Sequence, residues 1–275
     1  MLKEELRLKE IVKYSKENRL FSRERDSLTY LNNRYFKDFP TKFVKNIRLD
    51  VSLIAFLKSH YNIDVINHAY DYFFRFKTNI NEYGETNNPA HQIKILELYL
   101  KDENLKKDME TFINHFDIGL NGFEIKKEIN KEEFRISVSG LHTTKEKNSK
   151  LDFIYESKGT RSLFFTFANI ITAIKNNTVV VIDELEFGLH PEALNKLVGY
   201  IIDENMDGHA QIIFSSHSLG FMNKLDMHQL FLTKKNSNGE SNVYRLNEVK
   251  GIRSDENFLS KYMSGAYGAF PNIRV

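Results

Sequence analysis

Three polar clusters in the second half of this 275-residue chain stand at the ends of apolar runs, and each is built from residue types that can act on an anion or a water. Residues 178–191 read TVVVIDELEFGLHP. Val179, Val180, Val181 and Ile182 form a β-branched run without polar alternation, the pattern of a strand buried on both faces in a parallel sheet. Asp183 and Glu184 follow where it ends, and ligands of open α/β sheets bind at that carboxyl edge. An Asp there can hold Mg²⁺ by oxygen ligation, and the Glu beside it can take a proton from an attacking water. Upstream lies ESKGTRSLFF, residues 156–165. The helix after Gly159 is apolar almost all round and is predicted to be buried. Its N-terminus, with Ser157, Gly159 and free backbone N–H groups, suits a phosphate, because unpaired amides and the helix dipole both favour an anion. Ser157 reads equally as an ordinary N-cap. Downstream, QIIFSSHS (residues 211–218) ends an apolar strand in Ser215, Ser216 and His217. A His at such an edge can hydrogen-bond a phosphate oxygen, although a lone His is more often structural.

Those clusters need elements to hold them. After residue 150 the order is strand (LDFIY), helix (Gly159 to Lys175), strand (TVVVID), helix (Glu192 to Glu204) and strand (AQIIFSS), which predicts parallel βαβ units. Pro191 suits the first turn of the second helix. Asn121-Gly122 is a turn signal, and the alternation that follows predicts a β-hairpin from about Phe123 to Ser139, then a charged loop from His142 to Lys150. Earlier, Glu5 to Lys9 alternates like a strand. Apolar residues spaced by 3 and 4 over 50–80 predict amphipathic helices broken near Asn62, a polar turn EYGETNNPAH follows, and two more helices are expected around Ile93–Leu100 and Leu105–Phe116.

Composition narrows the function. The chain is globular in type, with 41% hydrophobic and 28% charged residues. It carries 39 Lys and Arg against 37 Asp and Glu, which disfavours a strongly basic nucleic-acid binder. Residues 1–48 are locally basic, with 13 Lys and Arg against 7 Asp and Glu, a solvated face or a nucleic-acid contact in which Arg19, Arg23 and Arg25 are candidates. No cysteine is present, so disulfides, thiolate zinc sites and Cys nucleophiles are excluded. The nine His are scattered, without metal-ligand spacing. Arg135 and His142 have a spacing seen in some helical ribonucleases, but they fall on a predicted strand and loop, which excludes that match. The longest nearly apolar run, Leu163 to Ile174, is below the roughly 18 residues a bilayer span needs, and MLKEELRLKE does not read as a signal peptide. The expectation is a cytoplasmic protein without a membrane segment.

Four apolar residues followed by Asp-Glu form the Walker B pattern. Combined with the E-S-x-G helix start and the φφφSSH strand end, the chain resembles the C-terminal part of ABC-type ATPases. The closer likeness is to ABC-like "AAA domain" ATP-binding proteins of bacteria and archaea, relatives of the overcoming-lysogenization-defect ATPases and of SMC heads. The opening EELRLKEIVKYSKENRLFSRER and the ending YMSGAYGAFPNI also resemble that family. The resemblance implies an α/β fold: a partial P-loop sheet with flanking helices, preceded by a mainly helical arm or lid and a β-hairpin. It implies three parts, a basic strand and arm segment (1–48), a helical lid or insert (49–120), and a C-terminal ATPase subdomain (121–275). It makes Asp183 the Mg²⁺-organising acid, Glu184 the catalytic base and His217 the γ-phosphate sensor. Ser157 and Gly159 become signature residues that grip ATP on an opposite subunit, and Glu186, Gly188 and His190 belong to a D-loop at the dimer interface. Lys158 and Thr160-Arg161 depart from the transporter signature and suit the non-transporter branch.

One part of that family's site is missing from the sequence. G-x-x-x-x-G-K-[ST] needs Gly followed by Lys, and none of the 13 glycines is. The chain is therefore expected to be inactive alone and to need a Walker A lobe from another segment or chain, leaving sheet edges and apolar faces open meanwhile. The implied partners are a second head, a separate nuclease or toxin effector in phage defence, and nucleic acid. The alternative is a catalytically inactive remnant or regulatory subunit that binds protein or nucleic acid.

Overall fold

A computed structural model describes residues 3–9, 16–37, 39–80, 89–114, 119–130, 133–143 and 148–270. The architecture is mixed α/β, in two compact units, residues 1–76 and 77–275.

In the first unit β1 (Lys3–Leu8), β2 (Asn18–Glu24) and β3 (Ser27–Leu31) form an antiparallel sheet in that order. A 3-10 helix (Thr41–Asn46) leads to α1 (Leu53–His60) and α2 (Asp64–Phe74), with the predicted break at Asn62 between them. The core is Leu20, Phe21, Phe36, Val44, Leu53, Leu57 and Ile66 with their neighbours. The Glu4 carboxylate accepts from the Ser52 hydroxyl (2.6 Å) and the Leu53 amide (2.8 Å), satisfying donors that the start of α1 leaves over. Arg23 corrects one expectation. It is only 2% exposed, and its guanidinium donates to the carbonyls of Val51 (2.8 Å) and Ile47 (2.9 Å). It is a buried brace for the chain before α1 and is not available to a nucleic acid.

The second unit opens with β4 (Lys77–Thr78), followed by α3 (Pro89–Lys101) and α4 (Glu103–Asn114). The expected turn EYGETNNPAH lies mostly outside the described residues. β5 (Leu120–Asn130), β6 (Glu133–Thr143) and β7 (Asn148–Asp152) form an antiparallel sheet. Asn121-Gly122 is not a turn. It sits within β5, where the pairing with β6 shifts register between Leu120 and Gly122, because a bulge uses the same permissive residue types. Arg135 and His142 both lie on β6, an odd number of residues apart and hence on opposite faces.

α5 (Lys158–Lys175) runs through the main core. Leu163, Phe164, Phe167, Ala168, Ile170 and Ile171 are buried on it, as its all-round apolar sequence predicts. Around it pack Ile95 and Tyr99 of α3, Met109 and Phe112 of α4, and Phe123 of β5. The buried Tyr99 hydroxyl donates to the Phe164 carbonyl (2.8 Å), and burial pushes its phenol pKa well up. β8 (Val179–Ile182), α6 (Pro191–Glu204) and β9 (Gln211–Phe214) then make one parallel βαβ unit, with Pro191 in the first turn of α6. The other expected unit is corrected. LDFIY is not a parallel strand: its first residues end the antiparallel β7, and Phe153–Tyr155 turn into a 3-10 helix. The second parallel neighbour of β8 is β4, giving the sheet order β4-β8-β9. β10 (Phe231–Lys235), β11 (Ser241–Arg245) and α7 (Phe258–Met263) enclose a smaller core around Met222, Leu232, Leu246 and Phe258.

β8 is not buried on both faces either. Val180 and Ile182 face the core, but Val181 is 37% exposed and its register partner Ile213 is 53% exposed. The strand carries the sequence of a doubly covered one, and the face that Val179 shares with Val181 is buried at Val179 but open at Val181.

His91 of α3 is half-buried against Asn169 of α5 (3.2 Å). Desolvation, then the positive charges of Lys77 and Lys94, hold its pKa below 6.5. The unfolded chain therefore binds a proton at His91 more readily than the folded one, and stability falls as the pH drops through that value. His91→Gln should flatten the loss of urea midpoint that sets in as the pH falls below 6.5. An unchanged pH slope would remove His91 as a source of acid sensitivity.

Candidate functional site

The carboxyl ends of β4, β8 and β9 converge because the three strands are parallel. β4 has only two paired residues, and Asn79 beyond them continues the ladder with its side chain. Its Nδ2 donates to the Asp183 carbonyl (2.8 Å), and its Oδ1 accepts from the Asp183 amide (2.9 Å). From β9, the Ser215 amide donates to the Ile182 carbonyl (3.0 Å), and the Ser215 carbonyl accepts from the Leu185 amide (3.1 Å). The Ser215 hydroxyl donates to Asp183 Oδ1 (2.5 Å) and accepts from the Glu184 amide (2.8 Å). Asp183, Glu184 and His217 are all exposed. Glu184 has φ +50, a left-handed backbone that is unfavourable for a residue with a Cβ and that clusters at functional sites.

The chain beyond Glu184 is a tight loop, with Phe187 N–H donating to the Glu184 carbonyl (2.9 Å) and Leu189 N–H to the Glu186 carbonyl (2.7 Å). Glu186 Oε1 accepts from the His217 amide (2.6 Å), so this loop and the end of β9 are tied. Glu186 Oε2 is buried without a hydrogen-bond partner. Gly188 has φ +73, and a Cβ built on Gly159 would lie 2.1 Å from the Gly188 carbonyl oxygen. The start of α5 and this loop thus meet backbone to backbone. His190 is the N-cap of α6, its ring nitrogen accepting from Glu192 N–H at 3.2 Å.

Ser157 is the N-cap of α5. Its hydroxyl accepts from the Thr160 amide (3.0 Å) and lies 2.8 Å from the Thr160 hydroxyl. Its link to the acidic end runs through the Gly159–Gly188 contact, the loop and Glu186. Just before it, the buried Glu156 carboxylate is 2.7 Å from His142 Nε2 on β6.

Sequence reading picked out the ends of β8 and β9 but not Asn79, Glu156 or the double role of Ser215. Ser215 stood in the strand-end triplet; Asn79 gave no signal, being 104 residues from its partner. The donor set at Asp183 and Ser215 is oxygen only, which suits Mg²⁺. Among the described residues no three His, Cys, Asp or Glu gather to hold a metal. A metal here would need further oxygens from what it accompanies, as Mg²⁺ does in nucleotide sites.

The family model described as "AAA domain, putative AbiEii toxin, Type IV TA system" matches residues 3–223. No curated protein matches the chain. Among solved structures, one from work on ATP-driven dimerization and DNA-stimulated activation of SMC ATPases is 12% identical, with 66% of this chain and 99% of that one covered and a TM-score of 0.43. The Pyrococcus furiosus Smc head domain with an extended coiled coil, bound to the C-terminal domain of ScpA, is 11% identical, with 71% and 48% covered and a TM-score of 0.39.

Proposed function

We propose a nucleotide-driven switch as the function of this chain, which belongs to the AAA domain family. Membership supports a nucleotide-hydrolysing ATPase in general. The finer reading is the C-terminal portion of an ABC-like ATPase, cut into the arm (1–48), lid (49–120) and ATPase subdomain (121–275) and working at a head–head interface. Its Walker A lobe comes from another segment or chain. The observation that carries it is the acidic pair at the end of β8, hydrogen-bonded through one hydroxyl to the strand that leads to His217.

Bound Mg-ATP would supply the electrophilic phosphorus and the charge these residues handle. Asp183 would hold the metal through its coordinated water. The Glu184 carboxylate accepts a proton from the attacking water, and His217 donates to a terminal phosphate oxygen. Ser157 and Gly159, at the positive end of α5, would meet phosphates held on a second copy. Glu186, Gly188 and His190 would lie in the loop that crosses between copies. Hydrolysis removes the shared ligand, so the pair opens and the change passes to an effector in phage defence or nucleic-acid sensing.

The open face at Val181 and Ile213 supports the proposed second segment, because apolar sheet faces in water favour a cover. So does β9, whose only strand neighbour among the described residues is β8, leaving an edge on which a strand can add. Calorimetric titration of Mg-ATP tests the reading. The chain alone should bind weakly, and the chain joined to a segment bearing G-x-x-x-x-G-K-[ST] at least roughly a hundredfold more tightly, as removal of a multidentate phosphate cradle implies. Equal, weak binding in both would favour an inactive remnant.

A further inference from the structure

We propose that Ser215 is the positioning residue of the acidic pair, an inference that rests on the hydrolytic reading above. A hydroxyl has one proton and two lone pairs, and here both roles are assigned by the partners. Asp183 Oδ1 accepts the proton of the hydroxyl (2.5 Å). The Glu184 amide can only donate, so a lone pair receives it (2.8 Å). One atom therefore sets both the rotation of the Asp183 carboxylate and the plane of the peptide entering Glu184.

That second bond bears on an unfavourable conformation. Glu184 sits at φ +50, and its amide is held by the Ser215 hydroxyl. The neighbouring main chain is held from two sides, by Asn79 on the Asp183 backbone and by the Ser215 carbonyl on the Leu185 amide. None of these three bonds reaches the Asp183 carboxylate or the Glu184 amide. Ser215 is exposed, so a bridging water can make both bonds in place of its hydroxyl, but that water is not anchored to the main chain as the hydroxyl is. Losing the hydroxyl should therefore disturb geometry far more than stability. Ser215 also lies two residues before His217, whose amide is tied to Glu186.

The test compares structures of the whole chain as wild type, Ser215→Ala and Ser215→Thr, with Ser215→Cys as a size-matched weak donor should the alanine variant fold poorly. The Ala and Cys variants should release Glu184 from φ near +50 and reorient the Asp183 carboxylate, while Thr keeps both. In the chain joined to a Walker A segment, Ser215→Ala should lower kcat about tenfold with KM for ATP within about twofold, and Thr should restore it. An unmoved Glu184 backbone and Asp183 carboxylate in the Ala variant, or a kcat loss that Thr does not rescue, overturns the positioning role. A wild-type complex without turnover would overturn the hydrolytic reading instead, and the backbone comparison would still decide Ser215.

Discussion

Glu184→Gln should lower ATP turnover roughly 10²- to 10⁴-fold in the chain joined to a Walker A segment, with ATP affinity nearly unchanged. Gln matches Glu in shape and keeps its main-chain N–H, so the bond from the residue 184 amide to Ser215 and the φ of +50 both survive. Only the ability to accept a proton is lost. A general base contributes to the chemical step and not to ground-state binding, so the effect should fall on kcat alone. Single-turnover kinetics beside a binding titration would separate the two. Unchanged turnover would take Glu184 out of the base role, and equal loss of binding and turnover would mean the substitution disturbed the loop.

Gly159→Ala should destabilise the unit of residues 77–275 by about 2 kcal/mol or more, against what helix propensity alone predicts. Alanine in the first turn of α5 would gain at most about 1 kcal/mol over glycine. The new Cβ, however, would stand 2.1 Å from the Gly188 carbonyl oxygen and 2.9 Å from its carbon. The obstacle is backbone, which no rotamer change can move aside, so the overpacking cost lies at or above the upper end of about 1–3 kcal/mol. Gly188 cannot yield cheaply either, since its φ of +73 suits glycine and its loop is pinned through Glu186 to His217. A urea midpoint equal to or above wild type would refute the contact. Faster amide exchange confined to residues 185–190 would show the strain relieved by local displacement, the same clash read in another way.

How much of this was legible in the sequence depends on how local each cause is. The breaks around Asn62, the buried α5 and the strand at Val179–Ile182 follow from periodicity and β-branching within a dozen residues, and they stand where expected. LDFIY misled because aromatic residues favour strands locally. Phe153 instead turns its ring into the core against Phe164 (4.9 Å), and Asp152 caps the turn at the Ile154 amide (3.4 Å). Glycine at 122 signals a turn from sequence alone because bulges and turns share a residue type. The sequence marks Ser157 and Gly159 as ligand positions, and the structure gives each a local reason as well, an N-cap and a close backbone approach. The ends of β8 and β9 were visible, but their hydrogen-bond partners come from separate segments. No periodicity announces that Asn79 will serve Asp183.

That distance sets a timetable for synthesis. Asn79 and the Asp183 backbone are 104 residues apart. At about 5–20 residues per second, β4 would emerge from a ribosome some 5–20 seconds before the strand it pairs with. Through that interval the antiparallel hairpin and the helices α3 and α4 can form without it, since their contacts are nearer in sequence. The parallel sheet whose edge carries the acids is thus closed only after the hairpin, α3 and α4 can have formed, and a pause or a holding chaperone would act on β4 first.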